Sequence, residues 1–335
     1  MPRRRSGTAY SAARRNGRRV RRRELVPLRP LVVELSGAYW RRREQNALVV
    51  PLRTPDKVLR AASLVRDGRI YSLARPRFPG MPLFAGHPTF QVLSYRTPHG
   101  LRVANEETWP GGNDVGLGYL SELLLCTTHS GAHVDALAHM TLGEDDHWLG
   151  GSAQKDVGDF GPVKDDAAEL PPIWTRGVLF DVPGHRGIAC LRKGEPIGAG
   201  ELEAVARAQG IDLEPGDVAL IRTGYLGHWP DPERLAAHRG AGPDLSAARW
   251  LAERGVLATG SDTETFEVQP APPHPGPRNP QPVHTFLLIE RGIYILESLD
   301  LEQLARDSVY EFLFVALPLK IKGATGSMVD PVAVV

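Results

Sequence analysis

The sequence predicts an α/β fold with helices packed on a mixed sheet. Three observations carry that reading. From about residue 25 onward, runs with helical spacing of apolar residues alternate with short strand-like runs. Gly, Pro and Asp residues fall at the switches between them. The 335 residues, 42% apolar and 24% charged, suffice for one large domain or two ordinary ones.

The elements follow in chain order. Asp56–Arg66 spaces its apolar residues for a helix, and Asp67-Gly68 turns the chain into the strand Ile70–Leu73. Pro79-Gly-Met-Pro82 marks a loop, and Leu123–Thr128 reads as a buried strand leading into His129. Glu201–Gln209 is a helix stopped by Gly210, after which Glu214-Pro-Gly-Asp217 turns into the strand Val218–Arg222. Asp244 caps a helix running to Gly255, with Val256–Thr259 as the next strand. Val283–Arg291 reads as a helix ended by Gly292, Ile293–Leu296 as a strand, and Asp300 as the cap of a further helix. Between them, Pro270–Pro282 holds seven prolines in thirteen positions and reads as a stiff surface excursion.

Charge narrows the function classes. The net charge of +1 gives no global reason for an acidic partner. Ten arginines are nevertheless packed between Arg3 and Arg23, and residues 1–24 read as a disordered extension. Nucleic-acid binding through this arm is the rival reading, weakened because the basic charge is confined to one detachable segment with Tyr10 as its one aromatic. Cys126 and Cys190 are too few for a disulfide framework and have no histidine at catalytic spacing, so they read as core residues of a cytoplasmic protein. The longest apolar run, Phe312–Leu319, is too short to cross a membrane and is broken by Pro318.

Chemistry concentrates in His129-Ser-Gly-Ala-His133-Val-Asp135-Ala-Leu-Ala-His139. Three of the eleven histidines and one aspartate fall within eleven residues. Imidazole nitrogen and carboxylate oxygen without thiolate suit catalytic zinc, manganese or ferrous iron better than a structural zinc. Gly131 and Ala132 are small enough to let His129 and His133 face one point. A helix beginning near Asp135 would stack Asp135 and His139 on one face, with its N-terminus favouring the ionised carboxylate. An imidazole left over beside a metal suits proton transfer. Histidines four apart on a helix are often ordinary surface or core residues, but the four residues together point to a metal.

The segment resembles the signature His-x-Gly-Thr-His-x-Asp-x-Pro-x-His of the cyclase family of metal-dependent hydrolases, which includes bacterial kynurenine formamidases and isatin hydrolases. Phe78–Pro82, Leu220–Gly224, Gly260–Thr263 and Lys322–Ser327 also look like family segments, so the resemblance runs from roughly residue 55 to 335. It implies a single domain of the swivelling β/β/α type over residues 25–335. It also implies that His129, His133 and Asp135 hold a first metal, that Asp135 bridges to a second where one is present, and that His139 is the general acid/base. His284 and Glu297 look like the further pair for that second metal. The strand reading agrees, since His284 begins a helix, Gly292 reverses the chain and Glu297 ends the returning strand.

The activity implied is hydrolysis of an amide or cyclic amide, of formamide or lactam type, with one or two divalent ions, zinc or manganese. A ring-closing condensation at the same site is the alternative. A homo-oligomer is implied by resemblance. Two departures, Ala132 for Thr and Leu137 for Pro, spare every ligand but loosen the tie to the formamidases. Asp262 is a weaker candidate for orienting a ligand histidine. Arg222 is one for a substrate carboxylate or carbonyl, with an ordinary salt bridge as its rival. His147 beside Trp148 could line a pocket, and His274 reads as a surface residue.

Overall fold

The centre of the molecule is a set of parallel strands whose sequences are almost wholly apolar, as strands covered on both faces must be. The computed structural model describes residues 54–335 apart from 107, 110 and 274–276, so the Arg-rich arm and His274 lie outside the described residues. In chain order the strands are β1 Ile70–Ser72, β2 Gln91–Arg96, β3 Ser121–Leu125, β4 His133–Asp135, β5 Val157–Gly158, β6 Gly161–Pro162, β7 Ile173–Asp181 and β8 Pro196–Ile197. They continue as β9 Val218–Arg222, β10 Gly242–Pro243, β11 Ala258–Ser261, β12 Tyr294–Glu297, β13 Glu311–Ala316, β14 Gly326–Met328 and β15 Val332–Val334.

Nine of these form one mixed sheet in the order β1-β15-β13-β7-β9-β11-β12-β4-β14. The run β7-β9-β11-β12 is parallel, and both flanks are antiparallel. Every residue of β9, β11 and β12 is buried. Leu179, Leu220 and Ile295 are fully enclosed, and each such side chain contributes about 1.5–3 kcal/mol by leaving water.

Helices cover this sheet through one apolar stripe each. The helix Ala199–Gln209 buries Leu202 and Val205 and ends where Gly210 takes a left-handed conformation. The helix Leu245–Glu253 buries Ala247, Ala248, Trp250 and Leu251, and Asp244 caps it by accepting from Ser246 N (2.8 Å) and Ala247 N (3.0 Å). The sequence's helix over Val283–Arg291 is a short α-turn, Pro282–His284, continued as a π-helix, Thr285–Arg291, and Gly292 ends it at φ +63°. Wide turns of this kind recur where a helix presents functional groups. The described prolines of the Pro270–Pro282 segment lie mostly on the surface, and the segment leads straight into His284.

Two expectations about local structure are corrected. The strand before His129 is not buried. It is β3, which among the described residues pairs only with β2 in a separate ribbon, and Leu123, Leu124 and Leu125 are all more than half exposed. The helix expected from Asp135 to His139 does not form either. Asp135 ends β4, held in the sheet opposite Gly326 of β14, and the backbone beyond it is tied across the chain: Ala136 N–H bonds Thr325 O (2.9 Å) and Ala138 N–H bonds Asp165 O (3.2 Å). A turn closed by His139 N–H to Ala136 O (3.0 Å) delivers His139 instead.

Candidate metal centre

The loop that carries His129 is held by its backbone. Gly131 takes φ +60°, a conformation open to glycine at little steric cost. Around it, the half-buried guanidinium of Arg77 donates to three carbonyls: Ser130 O (2.8 Å), Ala132 O (2.5 Å) and Val329 O (2.9 Å). The chain then enters β4, which is pinned between β12 and β14. Register does the rest. Glu297 of β12 faces His133, and Gly326 of β14 faces Asp135. A Cβ on Gly326 would overlap the His129 ring, so the missing side chain is the space that the imidazole occupies.

The structure brings His129, His133, Asp135, His284 and Glu297 together as two triads that share Asp135. The ligand atoms of His129, His133 and Asp135 lie within 4.8 Å of one another, as do those of Asp135, His284 and Glu297. Asp135 Oδ1 is 2.9 Å from His129 Nδ1 and 3.5 Å from His133 Nε2, while Oδ2 is 3.8 Å from His284 Nε2. Glu297 spans the two histidines, with Oε2 3.3 Å from His133 Nε2 and Oε1 3.2 Å from His284 Nε2. All five are buried.

Tautomers follow from the remaining ring nitrogens. His133 Nδ1 lies 2.7 Å from the carbonyl of Gly131, which can only accept, so Nδ1 carries the proton and Nε2 turns its lone pair to the cluster. His284 Nδ1 lies 2.6 Å from Glu267, whose carboxylate also accepts the Val283 (3.0 Å) and His284 (2.9 Å) amides. Glu267 is completely enclosed. An anion in this position fixes the ring and raises its basicity as a ligand.

The donor set fits a cation. His133 Nε2 and both Asp135 oxygens are buried and make no well-aligned hydrogen bond, their nearest polar neighbours being the other donor atoms of the cluster, a costly state unless something electropositive sits among them. Burial works to raise the Asp135 carboxyl, and the imidazoles of His139, His129 and His133 outweigh it, holding the group well below the usual carboxylate range. Burial disfavours a charged His284, but hydrogen bonds to Glu267 and Glu297 lift it to about 10. His133 is raised in the same way, against burial, by Glu297 and Asp135. The buried carboxylates thus draw positive charge onto their neighbours, as they would draw a divalent ion. His139 differs: burial outweighs the pull of Asp135 and lowers it to about 4, so it is neutral at pH 7. Its ring lies 4.2 Å from that of His129, centroid to centroid.

A cleft opens on His129, His133 and Glu297, walled by Leu83, Phe84, His87, Leu226 and Trp229. His87 stacks on His129 at 5.5 Å, with the planes 12° apart. Phe78 meets Trp229 edge to face at 5.9 Å.

The weaker candidates take other roles. Asp262 orients no ligand histidine. Its carboxylate accepts Thr223 N, Thr223 Oγ1 and Gly224 N, each at 2.8 Å, and so anchors the loop after β9. Arg222 is consumed by Asp181 (2.8 Å) and Glu302 (2.8 and 2.9 Å), the ordinary ion pair. His147 pairs with Asp145 on the surface (2.8 Å), and Trp148 is buried with its indole N–H on Asp165 (3.2 Å). Glu267, Gly326 and Arg77 were not singled out by the sequence. For Glu267 the signal was a carboxylate set between Phe266 and Val268, a sign of burial.

The cyclase family model matches residues 71–268. That is more than half of the chain, and the protein belongs to the cyclase family. A solved structure of a novel cyclase is 28% identical with a TM-score of 0.73, over 85% of this chain and 94% of that one. Isatin hydrolase A from Labrenzia aggregata, bound to benzyl benzoate, is 22% identical with a TM-score of 0.58, over 82% and 94% of the two chains. An isatin hydrolase bound to the product analogue thioisatinate is 18% identical with a TM-score of 0.58, over 84% and 99%. The two isatin hydrolases share the fold. Comparison with curated proteins gives no match. Among the described residues, no helix is long and apolar enough to cross a membrane.

Proposed function

We propose that the protein is a metal-dependent hydrolase that opens an amide or cyclic amide of formamide or lactam type. The observation that carries this is the pair of buried triads sharing Asp135, with the neutral imidazole of His139 against them. His129, His133 and Asp135 would hold one divalent ion, zinc or manganese, and Asp135, His284 and Glu297 a second. Such an ion activates water and polarises a carbonyl at neutral pH.

The chain's own residues supply the rest. His139, neutral at pH 7, accepts a proton and returns it to the departing nitrogen. Glu267 and the Gly131 carbonyl keep the rings of His284 and His133 from turning. Leu83, Phe84, Leu226 and Trp229 hold a flat apolar substrate and exclude bulk water. The fold shared with an isatin hydrolase that binds thioisatinate supports a cyclic amide.

The test combines metal analysis of the purified protein with a panel of formamides and lactams in heavy-oxygen water. Bound divalent metal and labelled oxygen in a new carboxylate are expected. A metal-free active protein would sink the reading, and an unlabelled, ring-closed product would favour condensation. The working form in this reading is a homo-oligomer. Its support is the β2–β3 ribbon, where Leu93, Leu123 and Leu125 stand 48–59% exposed on one face. Light scattering after size exclusion should show an assembly that Leu93→Asp with Leu123→Asp reduces to single chains.

A further inference from the structure

Behind the cleft wall lies a second group of ligand-type side chains that the hydrolytic reading does not use. Cys190 follows the helix Val182–Arg186, His228 ends the 3-10 turn Tyr225–His228, and His238 ends the helix Pro232–His238. The sulfur and one nitrogen from each ring lie within 4.8 Å of one another. The fold builds this proximity. Gly224, at φ +86°, packs directly on Ala189 and Cys190, and a Cβ there would sit 2.7 Å from Cys190 Cα. Leu191 N–H bonds Thr223 O (2.9 Å) and ties the cysteine loop to the end of β9.

Each histidine has a ring nitrogen to give. His238 Nδ1 lies 2.9 Å from the carbonyl of Leu191, an acceptor only, so Nδ1 is protonated and Nε2 keeps its lone pair. Donation from one imidazole nitrogen to a backbone carbonyl is the usual support of a metal-bound histidine. His228 Nε2 is buried with no partner. The two rings stack at 4.4 Å, with their planes 19° apart. The Cys190 thiol donates to the same Leu191 carbonyl at 3.3 Å.

We propose that Cys190, His228 and His238 form a second metal site, for a single zinc-type ion, separate from the Asp135 centre. One thiolate and two imidazoles are borderline-soft donors matched to Zn²⁺, and three protein ligands leave its fourth position to water. Binding replaces the S–H bond with S–Zn and releases that proton to solvent. The site clasps the segment whose other residues, Tyr225, Leu226 and Trp229, line the cleft. Its occupancy therefore stiffens one wall of the substrate site.

Cobalt titration of the reduced full-length protein tests this independently of any activity. The Asp135 centre contains no sulfur, so a thiolate-to-cobalt charge-transfer band reports this site alone. The band should saturate at one equivalent and bleach when Zn²⁺ is added. It should vanish in Cys190→Ser, weaken at least tenfold in affinity in His238→Ala, and persist in Cys126→Ser and His133→Ala. A wild-type protein without the band, or a band that survives Cys190→Ser, overturns the proposal. Circular dichroism of Cys190→Ser, a near-isosteric change, separates lost binding from lost fold.

Discussion

The two imidazole clusters of this chain differ in what surrounds them. At the Asp135 centre, three histidines are locked between buried carboxylates, and Asp135, Glu267 and Glu297 are at least nine-tenths enclosed. At Cys190, His228 and His238 the side chains are half-buried, and a backbone carbonyl takes the place of the carboxylates. Anions taken out of water demand a partner continuously, while half-buried side chains that still reach water can wait for one. A cluster of the first kind is tied to folding, and one of the second kind can fill and empty without threatening the fold.

The largest expected effect breaks the first cluster. His133→Ala removes a ligand and leaves Glu297 facing a gap, so metal content should fall to background and turnover by about a thousandfold, the scale of several kcal/mol of lost charge stabilisation. Elemental analysis with steady-state kinetics decides it, and full metal content would remove His133 from the ligands. His139→Ala is next. It should retain metal while kcat drops about 10²–10⁴-fold, the usual share of a general acid/base. Unchanged kcat would end its assigned role.

Glu267→Gln sharpens the comparison, because it keeps the shape around His284 and removes the charge. Metal affinity should weaken about 10–100-fold, read by competition with a chelator. The smallest effect on metal belongs to Asp262→Asn. Metal content should stay at the wild-type level, while thermal unfolding reports about 1–3 kcal/mol of lost stability from the weakened loop anchor. Loss of metal in this variant would restore Asp262 as a residue that orients a ligand.

The sequence made the cluster of candidate ligands legible and the backbone around it only in part. His129, His133 and Asp135 lie close enough in sequence for their residue types alone to point to a metal, and the structure brings them together. The helix expected through Asp135 failed because β12 and β14, far along the chain, take His133–Asp135 into the sheet as β4. Local propensity contains no trace of those partners. β3 misled for a related reason, since a run of leucines states that a surface will be covered without stating by what. Its apolar side chains lie on a ribbon outside the nine-stranded sheet. Alternating helices and strands gave the helix-covered mixed sheet correctly, because at its centre the pattern is dictated by burial on both faces. Cys190, His228 and His238 could not be read as a group, because they are joined by contacts between separate segments: Gly224 on the cysteine loop, Leu191 N–H on Thr223 O, and His238 on the Leu191 carbonyl.

The position of β4 also bears on the order in which a new chain becomes competent. The segment with the densest ligands emerges early in synthesis, yet both of its neighbours in the sheet, β12 and β14, are encoded more than 150 residues later. Until Gly326 arrives, His129 lacks the hollow that receives its ring. Pairings across such separations form late. A ribosome-bound intermediate can therefore display the whole His129–His139 motif and still offer metal ions no finished place to rest.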